Sequence, residues 1–154
     1  MATVTNSYCI SEGSNKETNH YIISLKGSGI RYKPGDSLGF YPINNHDLVR
    51  KTIRKIKAKK NDSIITKETG ETTLENALLN RFVIHRAGKK FLTVVAEKTE
   101  KKKTKKELED ILENQEKTEK YLFTRDSIDI LNEYPVRFTP QEFIDTLSPI
   151  APRL

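Results

Sequence analysis

The apolar residues of this chain change period once, at Asn45, and that change limits the fold to a β-rich part followed by an α-rich part. Before Asn45 they alternate. Tyr21, Ile23 and Leu25 share one face of an extended segment. Strands are expected over Thr3 to Glu12 and His20 to Lys26, joined through the turn cluster Gly13-Ser14-Asn15-Lys16. Lys33-Pro34-Gly35-Asp36 predicts a tight turn. Proline presets φ at its first corner, and glycine takes the positive φ that a type II turn needs at the second. Asp36 is placed to hydrogen-bond nearby backbone. A third strand is expected over Ser37 to Tyr41, closed by Pro42. Three strands leave open edges that must be paired or covered.

After Asn45 the spacing turns helical. Asn45 or His46 opens a helix with Asp47 in its first turn and Val49, Ile53 and Ile56 on a narrow apolar face, ended by Asn61-Asp62-Ser63. Ser63 to Thr66 reads as a short strand. Thr72-Thr73-Leu74-Glu75 fits a capping box for a helix through Ala77, Leu78 and Phe82. The run from Ala87 to Glu97 suits a strand or a buried helix. One helix is expected from Lys105 to Tyr121 and another over Ser127 to Glu133, ended by Pro135. The last helix has the clearest start: Thr139 caps, Pro140 suits the first helical position, and Glu142 completes a box. Phe143, Ile144 and Leu147 then face a core.

Charged residues make up 31% of the 154 and apolar ones 35%, with a mean hydropathy of -0.64, so part of the chain is expected to lie open or loosely packed. No apolar run approaches the roughly 20 residues that span a membrane. Met1 to Thr5 lacks the basic flank and apolar core of a signal peptide. A single cysteine builds no internal disulfide framework, which fits a cytoplasmic protein. Cys9 suits a reactive thiol or, the commoner role of a lone cysteine on a strand, a small apolar filler. The net charge of +6 concentrates in Arg50 to Lys60 and in Lys98 to Lys106. Such patches attract phosphate, acidic protein or anionic lipid.

Side chains for chemistry are sparse. His20, His46 and His85 have no metal-ligand spacing. No Ser-His-Asp order, Cys-x-x-Cys pair or phosphate-binding loop is present. Gly27-Ser28-Gly29 is too short for a dinucleotide fingerprint. Nothing supports hydrolysis or group transfer by the chain's own residues. Tyr32 and Tyr41 flank the turn at Pro34-Gly35, where they suit either cross-strand packing or the wall of a cofactor site.

Gly27-Ser28-Gly29-Ile30 followed by RYKPGDSLGFYPINN resembles the start of the FAD-binding domain of the diflavin reductase family, which includes the sulfite reductase flavoprotein and NADPH–cytochrome P450 reductase. NHYIISL resembles the strand before the turn, and TTLENALLNRFVI a helix of the connecting subdomain. DILNEYP and FIDTLSPIAPRL resemble the helices leading into the flavin motif Arg-x-Tyr-Ser. The pieces keep the family's order from about Asn19 to Leu154 and are more similar to the sulfite reductase branch than to the others.

The resemblance implies an α+β fold: a partial antiparallel flavin-binding β-barrel with an inserted all-helical connecting subdomain. It assigns residues 1–44 to the first barrel strands, 45–148 to the mainly helical connecting subdomain, and 149–154 to the start of the return to the barrel. It also implies FAD and, as electron donor, NADPH in the complete protein, with electrons passed to an FMN-type domain or a redox acceptor protein. Arg153 matches the motif's Arg, whose guanidinium holds the FAD pyrophosphate through paired donors. Ser37 stands where some relatives carry a His near the flavin. The chain then reads as the N-terminal part of an NADPH-dependent reductase, with the motif's Tyr and Ser beyond Leu154. Alone it is expected to hold no cofactor and to be catalytically incompetent, because hydride transfer needs nicotinamide and flavin in contact.

The lysine clusters carry two other readings. A nucleic-acid-binding module would follow a phosphate backbone with the basic helix at Arg50 to Lys60, although Lys98 to Lys106 has no interleaved aromatic residues to stack bases. A partner-docking module would use the same positive face to receive an acidic FMN-type domain.

Overall fold

The computed structural model describes residues 2–37, 39–67 and 70–152. These fall into two compact units, Met1–Leu38 and Gly39–Leu154.

The first unit is built on one antiparallel hairpin, β1 (Thr3–Cys9) and β2 (Asn19–Ser24). Val4 stands opposite Ile23 and Tyr8 opposite His20, whose rings stack at 4.9 Å. The register shifts between Val4 and Asn6, and the Thr5 hydroxyl donates to the Ile22 carbonyl at 3.1 Å. In the connecting loop the Ser11 hydroxyl accepts from the Thr18 amide and donates to the Lys16 carbonyl, both at 2.7 Å. The expected turn is present. Asp36 N donates to Lys33 O at 3.0 Å, Lys33 N donates to Asp36 Oδ2 at 2.7 Å, and Gly35 takes φ 95°. Of the expected third strand over Ser37 to Tyr41, Leu38 lies outside the described residues and Phe40 makes a single β-bridge, while the other described residues of the segment belong to neither of the two sheets. A segment with extended propensity becomes a strand only where another edge supplies its ladder. Among the described residues the sheets do not close into a barrel.

The second unit is helical around one core. Its helices are α1 (His46–Lys55), α2 (Leu74–Asn80), α3 (Lys89–Lys98), α4 (Lys102–Glu113), α5 (Gln115–Leu122), α6 (Ser127–Glu133) and α7 (Pro140–Thr146). Local chemistry sets most starts. The Asn45 side chain accepts from the amides of Asp47 and Leu48. Thr139 and Glu142 form the expected reciprocal box, and Asp126 with Asp129 forms another. For α2 the cap is Thr73, one residue after the expected Thr72, and its side chain accepts from Asn76 N; Glu75 then stands in the first turn and does not complete the box read at Thr72. The helix α1 stops at Lys55, ahead of the expected end, and Lys57 follows at φ 57°.

Two further expectations are corrected here. The helical part is not all-helical: β3 (Ser63–Thr66) and β4 (Gly70–Thr73) pair as a hairpin inside it. The single helix expected from Lys105 to Tyr121 is two, α4 and α5. Asn114 is extended at φ -112° and ψ 122°, and its side chain caps α5 by accepting from Lys117 N. The Thr118 hydroxyl reaches the carbonyls of Ile111 and Asn114 and secures the break. For Ala87 to Glu97, burial decides in favour of helix: Phe91, Leu92 and Val95 of α3 are fully enclosed.

The core gathers Leu74 and Leu78 of α2, Leu108 of α4, Ile130 of α6, and Phe143 and Ile144 of α7. Phe91, Phe138 and Phe143 form an aromatic cluster with centroids 5.5–5.8 Å apart, one pair stacked and two edge-on. Burying a side chain of this size stabilises the fold by about 1.5–3 kcal/mol. No helix among the described residues is long and apolar enough to cross a membrane.

Candidate functional site

In the first unit, β2 and the turn that follows line a groove of about 520 Å³. Its apolar wall is Ile23, Leu25 and Ile30. Tyr21 and Tyr32 supply phenol rings, Arg31 a guanidinium and Ser37 a hydroxyl. Tyr21 and Tyr32 are 58% and 72% exposed, so their rings are open to a ligand. The turn hydrogen bonds of Asp36 fix the backbone next to Ser37. Asp36 also lines the groove, with its Oδ2 engaged by Lys33 N, and the side chains offer ring faces that stack and one guanidinium that pairs with phosphate oxygens.

The three residues singled out from sequence fare differently. Ser37 lines this groove, together with Tyr32. Tyr41 lies in the second unit with its side chain 75% exposed. Arg153 lies outside the described residues. Arg31, adjacent to Tyr32, was passed over in the sequence; its place beside that tyrosine, just ahead of the turn, was the available signal.

The second unit has one construction that sequence reading missed. The segment 78–83 bonds to the chain both where it comes from Tyr41 and where it continues towards Arg153. Asn44 N donates to Leu79 O at 2.8 Å, and Asn44 Nδ2 donates to Leu78 O at 2.7 Å and to Phe82 O at 2.6 Å. On the other side, Val83 N donates to Ser148 O at 2.8 Å and Ile150 N to Arg81 O at 2.7 Å, around an antiparallel bridge between Phe82 and Pro149. Local pattern marks Asn45 as a cap but says nothing of Asn44, whose partners are more than thirty residues away.

Cys9 is exposed, which corrects its expected role as a filler. The backbone and hydroxyl of Ser11 hydrogen-bond its sulfur and hold the thiol below its ordinary range. Among the described residues no group of His, Cys, Asp and Glu is placed to hold a metal ion. Basic side chains crowd α1 and the turn after it. Arg54, Lys51, Lys57, Lys59 and Lys60 are exposed, Arg50 pairs with Asp47, and Lys55 is bonded to Asn132.

Comparison with known proteins adds the family. The profile of the FAD binding domain family matches residues 1–154. The sulfite reductase (NADPH) flavoprotein alpha-component of Bacillus subtilis is 34% identical over 146 residues, which cover 92% of this chain and 24% of the relative. The protein of that name from Mannheimia succiniciproducens is 28% identical over 152 residues, covering 98% of this chain and 24% of the relative. That of Aliivibrio fischeri is 28% identical over 141 residues, covering 92% and 22%. The chain thus spans about a quarter of the length of these relatives.

Proposed function

The chain belongs to the FAD binding domain family, of the diflavin reductase type, and we propose that it supplies the first flavin-barrel strands and the connecting subdomain of an NADPH-dependent electron-transfer reductase like the sulfite reductase flavoprotein. In that reading, residues 1–44 open the barrel, 45–148 form the connecting subdomain, and 149–154 begin the return. The observation that carries it is the exposed apolar hairpin. Every residue of β1 is open to solvent, and the large apolar side chains Val4, Tyr8, Ile10, Tyr21 and Ile22 are all exposed. A sheet face of this kind is stable only when further strands or a ligand cover it.

Bound FAD supplies the hydride-accepting and electron-passing chemistry; the protein supplies placement and charge. Arg153 is assigned to the pyrophosphate, where a guanidinium gives paired donors to phosphate oxygens. Tyr41 offers a ring face, and Ser37 a hydroxyl beside the groove that also holds Tyr32 and Arg31. The test is an absorption spectrum and an FAD titration of the complete protein that carries this chain. Stoichiometric flavin is the expected result, and no flavin uptake overturns the reading. The 154-residue chain by itself is expected to show no NADPH-dependent dye reduction.

The basic face of α1 favours a second element of the same reading: docking of an acidic FMN-type domain or redox acceptor. Complementary charge speeds encounter at low ionic strength. Because Lys55 is engaged with Asn132, Lys51→Glu with Lys59→Glu is the cleaner charge reversal. It is expected to slow electron transfer between the partners at low salt and to have little effect at high salt.

A further inference from the structure

We infer that Asn44 is a positioning residue for the cofactor, locking the segments that lead from Tyr41 and towards Arg153 onto one rigid piece of the helical unit. This rests on the FAD-binding reading above. The piece is the end of α2 and the residues after it. A helix leaves its last carbonyls without partners, and those of Leu78 and Leu79 receive the side-chain and backbone N–H groups of Asn44. A side-chain amide has two N–H donors, and Asn44 uses the other on Phe82 O. Phe82 is also the residue bridged to Pro149, flanked by the bonds from Val83 to Ser148 and from Ile150 to Arg81. The carbonyl held by Asn44 and the strap that holds the outgoing chain therefore share one residue.

Tyr41 precedes Asn44 by three residues, and Arg153 follows Ile150 by three. Three extended residues span at most about 11 Å, so Tyr41 lies within that chain reach of the clamp; Arg153, outside the described residues, enters through its place in the sequence alone. Placement at this range governs binding strongly, because a misplaced group loses its contact while the ligand's ordering cost remains. A role limited to holding the helical unit together predicts something different: any loss of comparable stability in that unit has the same effect. Gln141 supplies the matched comparison. Its side-chain amide also bridges distant backbone, accepting from Ile65 N at 2.8 Å and donating to Ile65 O at 3.0 Å, but at β3 and not at the clamp.

The experiment uses the complete protein carrying Asn44→Ala, Asn44→Ser or Gln141→Ala. It reads FAD affinity by titration, the visible circular dichroism of bound flavin, and amide hydrogen exchange at Val83 and Ile150. The alanine variant is expected to weaken FAD by at least about tenfold, to change the flavin dichroism, and to speed exchange at both amides. The serine variant, keeping one donor, falls between it and wild type and carries the test if the alanine variant does not fold. Gln141→Ala leaves FAD affinity and the flavin spectrum as in wild type. Wild-type flavin binding in the Asn44 variants, or an equal loss in Gln141→Ala, overturns the inference alone. Wild-type protein that takes up no FAD overturns the flavin reading and this inference with it.

Discussion

The two units differ in where they put their apolar side chains. Between residues 2 and 37 no described side chain is buried, whereas in the second unit Leu74, Phe91 and Phe143 are completely enclosed. Among the described residues, Ile65 and Phe123 are the only large exposed apolar side chains after Ile43. Both parts have the periodicity of their element type. The difference shows that periodicity orients a face without covering it. The described helices cover one another, both between neighbours such as α3 and α4 and between elements distant in sequence such as α1 with α6 and α3 with α7. Among the described residues β1 and β2 pair only with each other, and a two-stranded hairpin by itself is marginally stable in water.

The largest effect is expected where this contrast is strongest. Phe143→Ala removes one member of the aromatic cluster and is expected to cost about 3–5 kcal/mol in urea denaturation of the chain followed by helical circular dichroism. Tyr21→Ala, on the exposed face, is expected to change that stability by less than about 0.5 kcal/mol. Similar losses for the two would break the comparison. Next comes the start of α7. Thr139→Ala deletes a hydroxyl that accepts from Glu142 N at 3.2 Å, and about 1 kcal/mol is expected to be lost in the same measurement.

Glu142 sharpens the contrast through pH. The Thr139 backbone amide, and then Lys98 at 2.9 Å, bring its carboxyl down from an ordinary 4.5 to about 2. A carboxylate depressed by folding stabilises the native state above its unfolded pKa and loses that contribution as pH falls through the folded one. The difference in thermal midpoint between wild type and Glu142→Gln is therefore expected to be widest above pH 5 and to close between pH 4.5 and about 2. A gap that does not narrow on acidification refutes this role. The smallest effect concerns α4, whose first turn has Lys102 and Lys103 and no acid, at the end where the helix dipole favours negative charge. Lys102→Glu with Lys103→Glu is expected to raise stability by a few tenths of a kcal/mol per site at low salt. A loss of stability would show that these lysines are held by contacts stronger than the dipole.

The legible parts of the fold were those whose chemistry closes within a few residues. The turn at Pro34-Gly35, the caps at Asn45 and Thr139, and strand β3 stand where the sequence places them. The break at Asn114 was not legible, because an unbroken apolar face over Leu108, Ile111 and Leu112 reads as one helix. The extended backbone of Asn114, its side-chain cap on Lys117 N and the hydroxyl of Thr118 turning back to Ile111 O show where it ends. Of the residues around the groove, Ser37 entered the reading through the resemblance and Tyr32 through its place beside the turn, while Arg31, and Asn44 in the second unit, did not enter it.

From sequence alone came the order of elements, their local starts, and the resemblance in RYKPGDSLGFYP and the pieces after it that placed the chain among flavin-binding domains. Tertiary structure decided which faces are covered, that Gln141 closes the edge of β3, and that Asn44 ties two ends of the helical unit to one segment. The physical reason is range. A cap or turn is satisfied by backbone groups three or four residues away and leaves its mark in adjacent letters. A buried face or a bridging amide is satisfied by partners thirty or more residues distant, and only folding brings those together.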